Sequence, residues 1–130
     1  MTFPHPTSVL RHRPPAVLVG SVVAFSGDRL TCRSVGSGPW EWPQLLEGGA
    51  QTAGLLAGAQ PDGLHPEAVI ADYRGVRVLA ATHAGLVSFV ASIERKIMHF
   101  WRCRIEARAE DGRLLLDGLV TLAPTATRKD

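Results

Sequence analysis

The segment that most constrains this chain is Pro43–Gly58, which reads PQLLEGGAQTAGLLAG. Nearly all of its residues are apolar or small, and Leu45, Gly49 and Leu56 fit a helical repeat. Proline suits the first turn of a helix, because the N–H that it lacks would have no intrahelical partner there. The closing glycine, followed by a proline three residues later, supplies an end. The sequence therefore predicts one long helix over this segment.

Four glycines lie in this predicted helix: Gly48, Gly49, Gly54 and Gly58. Each costs about 1 kcal/mol of helix propensity relative to alanine. Such a cost is acceptable where another element must approach the helix closely. Because the segment also carries little charge, we expect the helix to be buried nearly all round and wrapped by a sheet.

Glu47 and Gln51 are the polar residues of interest in this apolar helix, and their spacing of four places them on one face. A buried carboxylate is costly unless it is paired, hydrogen-bonded or neutralised, so its presence points to a site. A plainer interpretation is that Glu47 lies near the helix start, where the dipole favours an acid and solvent reaches it. The residues alone leave both interpretations open.

The rest of the chain predicts antiparallel strands. Two valine-rich or alternating strands precede the helix at 16–25 and 29–35, and three follow it at 69–79, 86–97 and 113–122. Between the last two lies a fourth predicted strand, the clearest alternation in the sequence, with inward positions expected at His99, Trp101, Cys103, Ile105, Ala107 and Ala109. Asp111-Gly112 is a strong signal for a tight hairpin turn with positive φ at the glycine. The predicted order is therefore two strands, one helix and an antiparallel run.

Length and charge limit the classes of protein that are possible. The 130 residues allow one domain, expected over 1–130 with 1–9 and 124–130 loosely ordered. A net charge of +2 without clustered basic and aromatic residues argues against a nucleic-acid partner. No apolar run approaches the roughly 20 residues of a membrane span, so no membrane partner is expected.

Cysteine usage and the N-terminus predict a cytoplasmic protein. Cys32 and Cys103 fit neither a metal-binding spacing nor a disulfide framework, so free thiols and no metal are expected. No glycine-rich phosphate loop is present, and we expect no cofactor. The proline-rich N-terminus lacks the apolar block of a signal peptide.

Four stretches carry a resemblance to a known family. They read LRHRPPAVLVGSVV at 10–23, LLEGGAQTAGLLAG at 45–58, IADYRGVRVLAATHAGLVSFVASIERK at 70–96 and FWRCRIEARAEDGRLLLDGLVTL at 100–122. Together they resemble bacterial 3-hydroxyacyl-[acyl-carrier-protein] dehydratases, and are nearest to diverged members from aryl-polyene pathways. The resemblance implies the α+β hotdog fold, in which a curved antiparallel sheet wraps one long central helix. It also implies a dimer paired at sheet edges.

The resemblance further implies a catalytic pair that is shared between two subunits. A histidine in the loop before the helix removes the α-proton of a 3-hydroxyacyl thioester, and a helix acid from the other subunit protonates the departing hydroxyl. Glu47 matches that acid, with Gln51 one turn further along. Where the family has a His-Phe-Pro-Gly loop, positions 33–40 read RSVGSGPW and contain no histidine.

None of the five histidines replaces that loop residue directly. His12 belongs to the opening His-Arg motif, for which the resemblance implies a structural role. His99 is expected to pack on a strand. His5 and His65 lie in proline-rich loops. His83, in a predicted turn between strands where the family usually has Pro-Gly-Asp, is the remaining and weakest candidate for the site.

Three functions are compatible with these features. The first is a dehydratase-like subunit that acts on a 3-hydroxyacyl chain of acyl carrier protein and completes its site with a different, histidine-bearing hotdog subunit. The dimer itself is expected as a homodimer or as a heterodimer with a related hotdog subunit. The second is an acyl thioesterase in which the helix acid is general base or nucleophile. The third is a subunit that only binds an acyl chain or carrier protein. The E-x-x-x-Q helix favours dehydratase ancestry. A basic group of Arg95, Lys96, Arg102 and Arg104 is either a solvated strand face or a contact for an acidic carrier protein.

Overall fold

The computed structural model describes residues 18–61 and 69–124. Within these ranges the chain forms one helix, α1 (Trp42–Gly58), and eight strands. The strands are β1 (Val19–Phe25), β2 (Arg29–Ser34), β3 (Trp40–Glu41), β4 (Val69–Val78), β5 (Thr82–His83), β6 (Val87–Ile97), β7 (Phe100–Ala109) and β8 (Leu114–Ala123). The predictions for His5, His12 and His65 concern residues outside the described ranges. The same is true of the predicted loose order of residues 1–9 and 125–130.

Six of the strands form one antiparallel sheet in the order β1-β2-β6-β7-β8-β4. The predicted fold class, one long helix packed on a curved antiparallel sheet, is confirmed. The strands β3 and β5 form a separate two-stranded pair beside the helix start. The sequence does not predict this pair, because strands of two residues show no alternation.

The core lies between α1 and the inner face of the sheet. The predicted alternation in β7 is confirmed from Trp101 onward, since Trp101, Cys103, Ile105, Ala107 and Ala109 are all buried. The placement of His99 on this inward row is wrong. His99 lies exposed in the turn between β6 and β7, after Met98, whose φ is 56°. The two turn residues bring Ile97 opposite Phe100, so the strand begins one residue later.

Two of the helix glycines allow α1 to lie close to the sheet. A Cβ atom at Gly48 would stand 2.3 Å from the Phe89 ring, and one at Gly49 would stand 3.0 Å from Cδ1 of Ile105. The predicted close approach is therefore confirmed at these two positions. At Gly54 no described atom lies within 4 Å of the corresponding point. Packing therefore does not require a glycine at position 54.

The helix is not buried all round, and that prediction is wrong for its first turn. Trp42 is 41% exposed, and burial begins at Leu45. The start is fixed by polar contacts instead of by packing. The Trp42 N–H donates to the Ala81 carbonyl at 2.9 Å, and the Glu41 N–H donates to Oε1 of Gln44 at 2.9 Å.

The β7–β8 hairpin turns through Glu110, Asp111 and Gly112. The N–H of Gly112 donates to the Ala109 carbonyl at 2.9 Å, and φ at Gly112 is 89°. The predicted positive φ is confirmed, although the loop closed by the bond from the Ala109 N–H to the Arg113 carbonyl has three residues, where an Asp-Gly turn would have two. A left-handed third residue is typical of such loops.

Replacing Gly112 with valine is expected to lower the free energy of unfolding by about 1–2 kcal/mol, because a β-branched residue is strained at a left-handed position. Urea denaturation would measure the loss. The control is Glu110→Val, which is equally exposed in the same loop but is not among the positive-φ residues. Equal stability of the two variants would contradict the role assigned to the left-handed glycine.

On the outer face of the sheet, a buried carboxylate joins β4 to β8. Asp117 is 4% exposed and accepts bonds from Nε and Nη2 of Arg77 at 2.9 Å and 2.6 Å. Nη1 of Arg104 lies 3.8 Å from the same carboxylate. Hydrogen bonding from Arg77 holds the pKa of Asp117 below its ordinary value.

Replacing Asp117 with asparagine is expected to cost about 1 kcal/mol of stability at pH 7, since the Arg77 side chain is largely in solvent. Because the folded-state pKa lies below the unfolded value, the carboxylate stabilises the fold above about pH 4. That contribution is lost as the pH falls through the folded pKa. Denaturation curves between pH 7 and pH 3 should show the parent and Asp117→Asn converging in stability. A constant difference would contradict the assignment.

Candidate functional site

The structure brings together the two predicted residues of the helix face, Glu47 and Gln51. Gln51 is 3% exposed, and its Nε2 donates to Oε2 of Glu47 at 3.4 Å. Its Oε1 accepts the N–H of Leu18 at 2.9 Å, at the entry to β1. Because a backbone N–H needs an acceptor, the amide oxygen must face Leu18 and the NH₂ must face the acid. The buried amide therefore has a defined orientation, with its NH₂ group directed at the Glu47 carboxylate.

Glu47 itself is half-buried and is the sixth residue of α1. The helix dipole acts mainly within the first turn, where this helix has no acidic residue. The plainer interpretation, an acid that is favoured only by the helix start, is therefore weakened. A half-buried carboxyl held by an amide donor can exchange a proton with a bound molecule while keeping one orientation.

Tyr73 belongs to the same electrostatic environment, and the sequence reasoning missed it. It lies on β4 opposite Val120, whose side chain is fully buried in the core, and is itself half-buried. Burial and, to a smaller extent, the negative charge of Glu47 together raise the pKa of Tyr73 to about 12. The phenol therefore stays protonated and can donate a hydrogen bond. Register irregularities in β4 at 70/72 and 74/77 break the alternation that would have marked this residue.

The strand β4 forms one edge of the six-stranded sheet. Apolar side chains are exposed along it, including Val69 at 43%, Ile70 at 38% and Val78 at 42%. A long edge strand with exposed apolar residues favours pairing with another chain. Tyr73 lies on this edge strand, so a second subunit paired there would lie close to the candidate site.

His83 is placed beside the segment that enters the helix. It pairs with Trp40 in the β3–β5 pair, and Trp40 donates from Nε1 to the Gly85 carbonyl at 2.9 Å. Trp40 is buried and meets Phe89 edge-on, with ring centroids 6.4 Å apart. His83 is thus a neighbour of the segment 33–40 that leads into α1, and it is half-buried there.

The thiols are poorly suited to nucleophilic chemistry. Cys32 and Cys103 are buried and free. Burial raises the pKa of each thiol to about 12, which leaves little thiolate near neutral pH. Across 18–61 and 69–124, no group of three or more histidine, cysteine or acidic residues is arranged to hold a metal ion. No described helix is long and apolar enough to cross a membrane.

Comparison with known proteins identifies the fold of this chain but matches it to no sequence family. No family model and no curated protein matches the chain. Among solved structures, the dehydratase heterocomplex ApeI:P of Xenorhabdus doucetiae superposes with a TM-score of 0.79 at 16% identity. That match covers 97% of this chain and 94% of the other.

Thioesterases superpose as well. A mutant thioesterase from Pseudomonas aeruginosa has a TM-score of 0.64 at 14% identity, with 78% of each chain covered. The PaaI protein from the phenylacetic acid degradation operon of E. coli has a TM-score of 0.66 at 11% identity, covering 79% of this chain and 81% of that one. The helix, the six-stranded sheet and these superpositions together establish that the chain has the hotdog fold.

Proposed function

We propose that this chain is a dehydratase-like subunit that acts on 3-hydroxyacyl thioesters of acyl carrier protein, together with a histidine-bearing hotdog subunit. The observation that carries the proposal is the chain of bonds from Leu18 through Gln51 to Glu47. A buried amide that accepts from the Leu18 N–H and donates to Glu47 positions this acid more closely than a helix-start residue requires.

The acid would act as the proton donor of the elimination. A base removes the α-proton, the C–O bond at the β-carbon breaks, and Glu47 protonates the departing hydroxyl, which leaves as water. The products are an α,β-unsaturated thioester and one water, and the proton taken by the base returns to the carboxylate. The Gln51 amide orients the carboxyl throughout, while the phenol of Tyr73 is a further donor nearby.

The base is assigned to a second subunit. The stretch 33–40 contains no histidine, and of the described histidines His99 lies exposed in a hairpin turn. His83 stands beside Trp40 and is kept as an intrachain alternative. The exposed apolar edge of β4 supports pairing with another hotdog subunit, and the likeness to a dehydratase heterocomplex supports a different chain as the partner.

A thioesterase is the second candidate, because several structural relatives carry that name and a helix acid can also activate water. The two reactions differ in their requirement for a β-hydroxyl. A saturated acyl thioester can be hydrolysed but cannot lose water.

The decisive assay incubates the purified chain with 3-hydroxyacyl carrier protein, alone and together with a histidine-bearing hotdog subunit. We expect a mass loss of one water only in the mixture, and sedimentation should show the two chains co-migrating at micromolar concentration. Release of free acid from a saturated acyl carrier protein would support the thioesterase instead. If neither reaction occurs in the mixture, the proposal is contradicted, and a subunit that only binds an acyl chain or carrier protein remains as the function.

A further inference from the structure

The β6–β7 hairpin ends in a tip that is apolar and exposed. Ile97 is 41% exposed, Met98 is 80% exposed and Phe100 is 44% exposed. The pairing of β6 with β2 stops at Ser92, so residues 94–97 extend past the end of β2. Single exposed apolar residues are ordinary on a protein surface, but three of them within four consecutive residues of a projecting hairpin indicate a contact surface.

Met98 is held in an unfavourable backbone conformation that no contact within the chain explains. Its φ is 56°, and it is the one non-glycine residue with a left-handed φ in the ranges 18–61 and 69–124. Glycine or asparagine is usual at such a position, because most side chains are strained there. Since Met98 is mostly exposed, its side chain gains little packing inside the protein. An apolar environment outside the chain would supply the missing contact.

Basic residues surround this tip on both faces of the hairpin. Arg95 faces Arg102 on the outer face of the sheet, two positions behind the residues of the tip. Lys96 is paired with the buried Trp101 and therefore lies on the inner face, with its Nζ 5.0 Å from the Trp101 ring centroid. The sequence has no acidic residue from Arg95 to Arg104. Arg95, Lys96 and Arg102 thus form a collar of positive charge behind the apolar tip.

This arrangement matches the layers of a membrane surface. At about 3.3 Å per residue, the collar lies about 7–10 Å behind Met98. Protein segments that bind at the membrane interface bury their apolar side about 5–10 Å below the headgroups, so the collar would lie at the level of the phosphates. A folded acidic protein would contact one face of the hairpin, whereas the collar covers both faces. The geometry therefore favours a lipid surface over a protein partner.

A groove beside the collar can hold one lipid headgroup. It has a volume of about 220 Å³, and Arg102 lines it together with Ile97 and Phe100 of the tip. Nε of Arg102 and Oδ1 of Asp72, which also lines the groove, are buried and form no hydrogen bond within the described structure. A buried donor or acceptor without a partner is costly. A headgroup with a hydroxyl beside its phosphate, as in phosphatidylglycerol, would satisfy both atoms.

We propose that the β6–β7 hairpin docks this chain on an anionic phospholipid membrane. The tip enters the boundary between headgroups and acyl chains, and the collar binds the headgroup phosphates. Such a tip lies at the membrane surface and needs no apolar run of spanning length. A second copy of the chain is a poor occupant, because its collar would repel this one. The docking surface does not include Glu47 and does not depend on the proposed function.

The test is sedimentation of the full chain with lipid vesicles. Vesicles of phosphatidylcholine that contain about 30% phosphatidylglycerol are compared with vesicles of phosphatidylcholine alone, at 50 mM and 200 mM NaCl. We expect binding to the anionic vesicles to be at least 10-fold tighter at 50 mM NaCl. It should weaken clearly at 200 mM, because salt screens the attraction between the collar and the phosphates.

Met98→Asn is the most informative variant, because asparagine suits a left-handed position and should leave the fold as stable as the parent or more so in urea. It should bind anionic vesicles at least 5-fold more weakly. Arg102→Gln should weaken binding about 5-fold, as expected for one basic residue at a membrane surface. The matched controls are Leu79→Asn, an exposed apolar residue bonded to Leu115 at the opposite end of the sheet, and Arg33→Gln on β2. Both should bind as the parent does.

Equal binding to the two kinds of vesicle, or no sedimentation with the anionic ones, would overturn the proposal. Parental binding by Met98→Asn, or an equal loss in Leu79→Asn, would overturn it too. The same holds if the chain binds a second copy or an acidic protein in place of vesicles, and Met98→Asn abolishes that association. Since no catalytic activity is measured, failure of the dehydratase proposal would leave this result unchanged.

Discussion

Replacing Glu47 with glutamine is expected to lower the dehydratase activity of the complex by at least 100-fold, the lower end of what a positioned general acid contributes. The amide has nearly the shape of the acid and can still meet Nε2 of Gln51 through its oxygen. It cannot deliver a proton to the departing hydroxyl. The variant should therefore fold and assemble as the parent does and fail at the chemical step.

The measurement is the rate of water loss from 3-hydroxyacyl carrier protein in the mixture with the histidine-bearing subunit. Circular dichroism and sedimentation of the variant check the fold and the assembly. Glu110→Gln, the same change in the exposed β7–β8 loop, is the matched control and should retain parental activity. Parental activity in Glu47→Gln would show that the acid of this chain is not catalytic and that the subunit acts as a scaffold.

Replacing Gly48 with alanine is expected to give the largest loss of stability of any single methyl added to this helix. The new Cβ would overlap ring carbons of Phe89 at 2.3–2.7 Å. Phe89 is fully buried and packs edge-on against Trp40, so the ring has no free space to move into. Overpacking of this kind typically costs about 1–3 kcal/mol, and the gain in helix propensity returns about 1 kcal/mol at most. Because three ring carbons overlap the new Cβ, we expect the cost to lie at the upper end of this range and the net loss to be about 2 kcal/mol.

The matched control is Gly54→Ala in the same helix. No described atom lies within 4 Å of its Cβ position, so this change should stabilise the chain by about 0.5–1 kcal/mol through helix propensity. Urea denaturation followed by tryptophan fluorescence would compare the two. If the Gly48 variant is too unstable to purify, Gly48→Ala combined with Phe89→Leu should recover soluble protein, because the smaller side chain makes room. Equal effects at the two glycines would contradict the packing assigned to Gly48.

The sequence by itself determines the central helix, because eleven of the sixteen residues in Pro43–Gly58 are leucine, alanine or glycine, and such a segment is stable only where it is largely buried. It also determines the β7 row from Trp101 to Ala109 and the left-handed glycine of the β7–β8 turn, since alternation and turn chemistry act over a few neighbouring residues. The pairing of Glu47 with Gln51 follows from their spacing of four. Each of these features depends only on residues that are close in the sequence, so it can be predicted before the fold is known.

Only the tertiary structure decided which groups surround that helix face. The bond from Leu18 to Gln51 joins residues 33 apart in the sequence, and Tyr73 enters the environment of Glu47 from the opposite edge strand. His83 is brought to Trp40 by a two-residue strand pair that has no sequence signature. Arginines from β2, β4, β6 and β7 likewise come together on the outer face of the sheet, although their distance from one another in the sequence gives no sign of it. Strand order sets which of these residues become neighbours, and strand order depends on the packing of the whole sheet around α1.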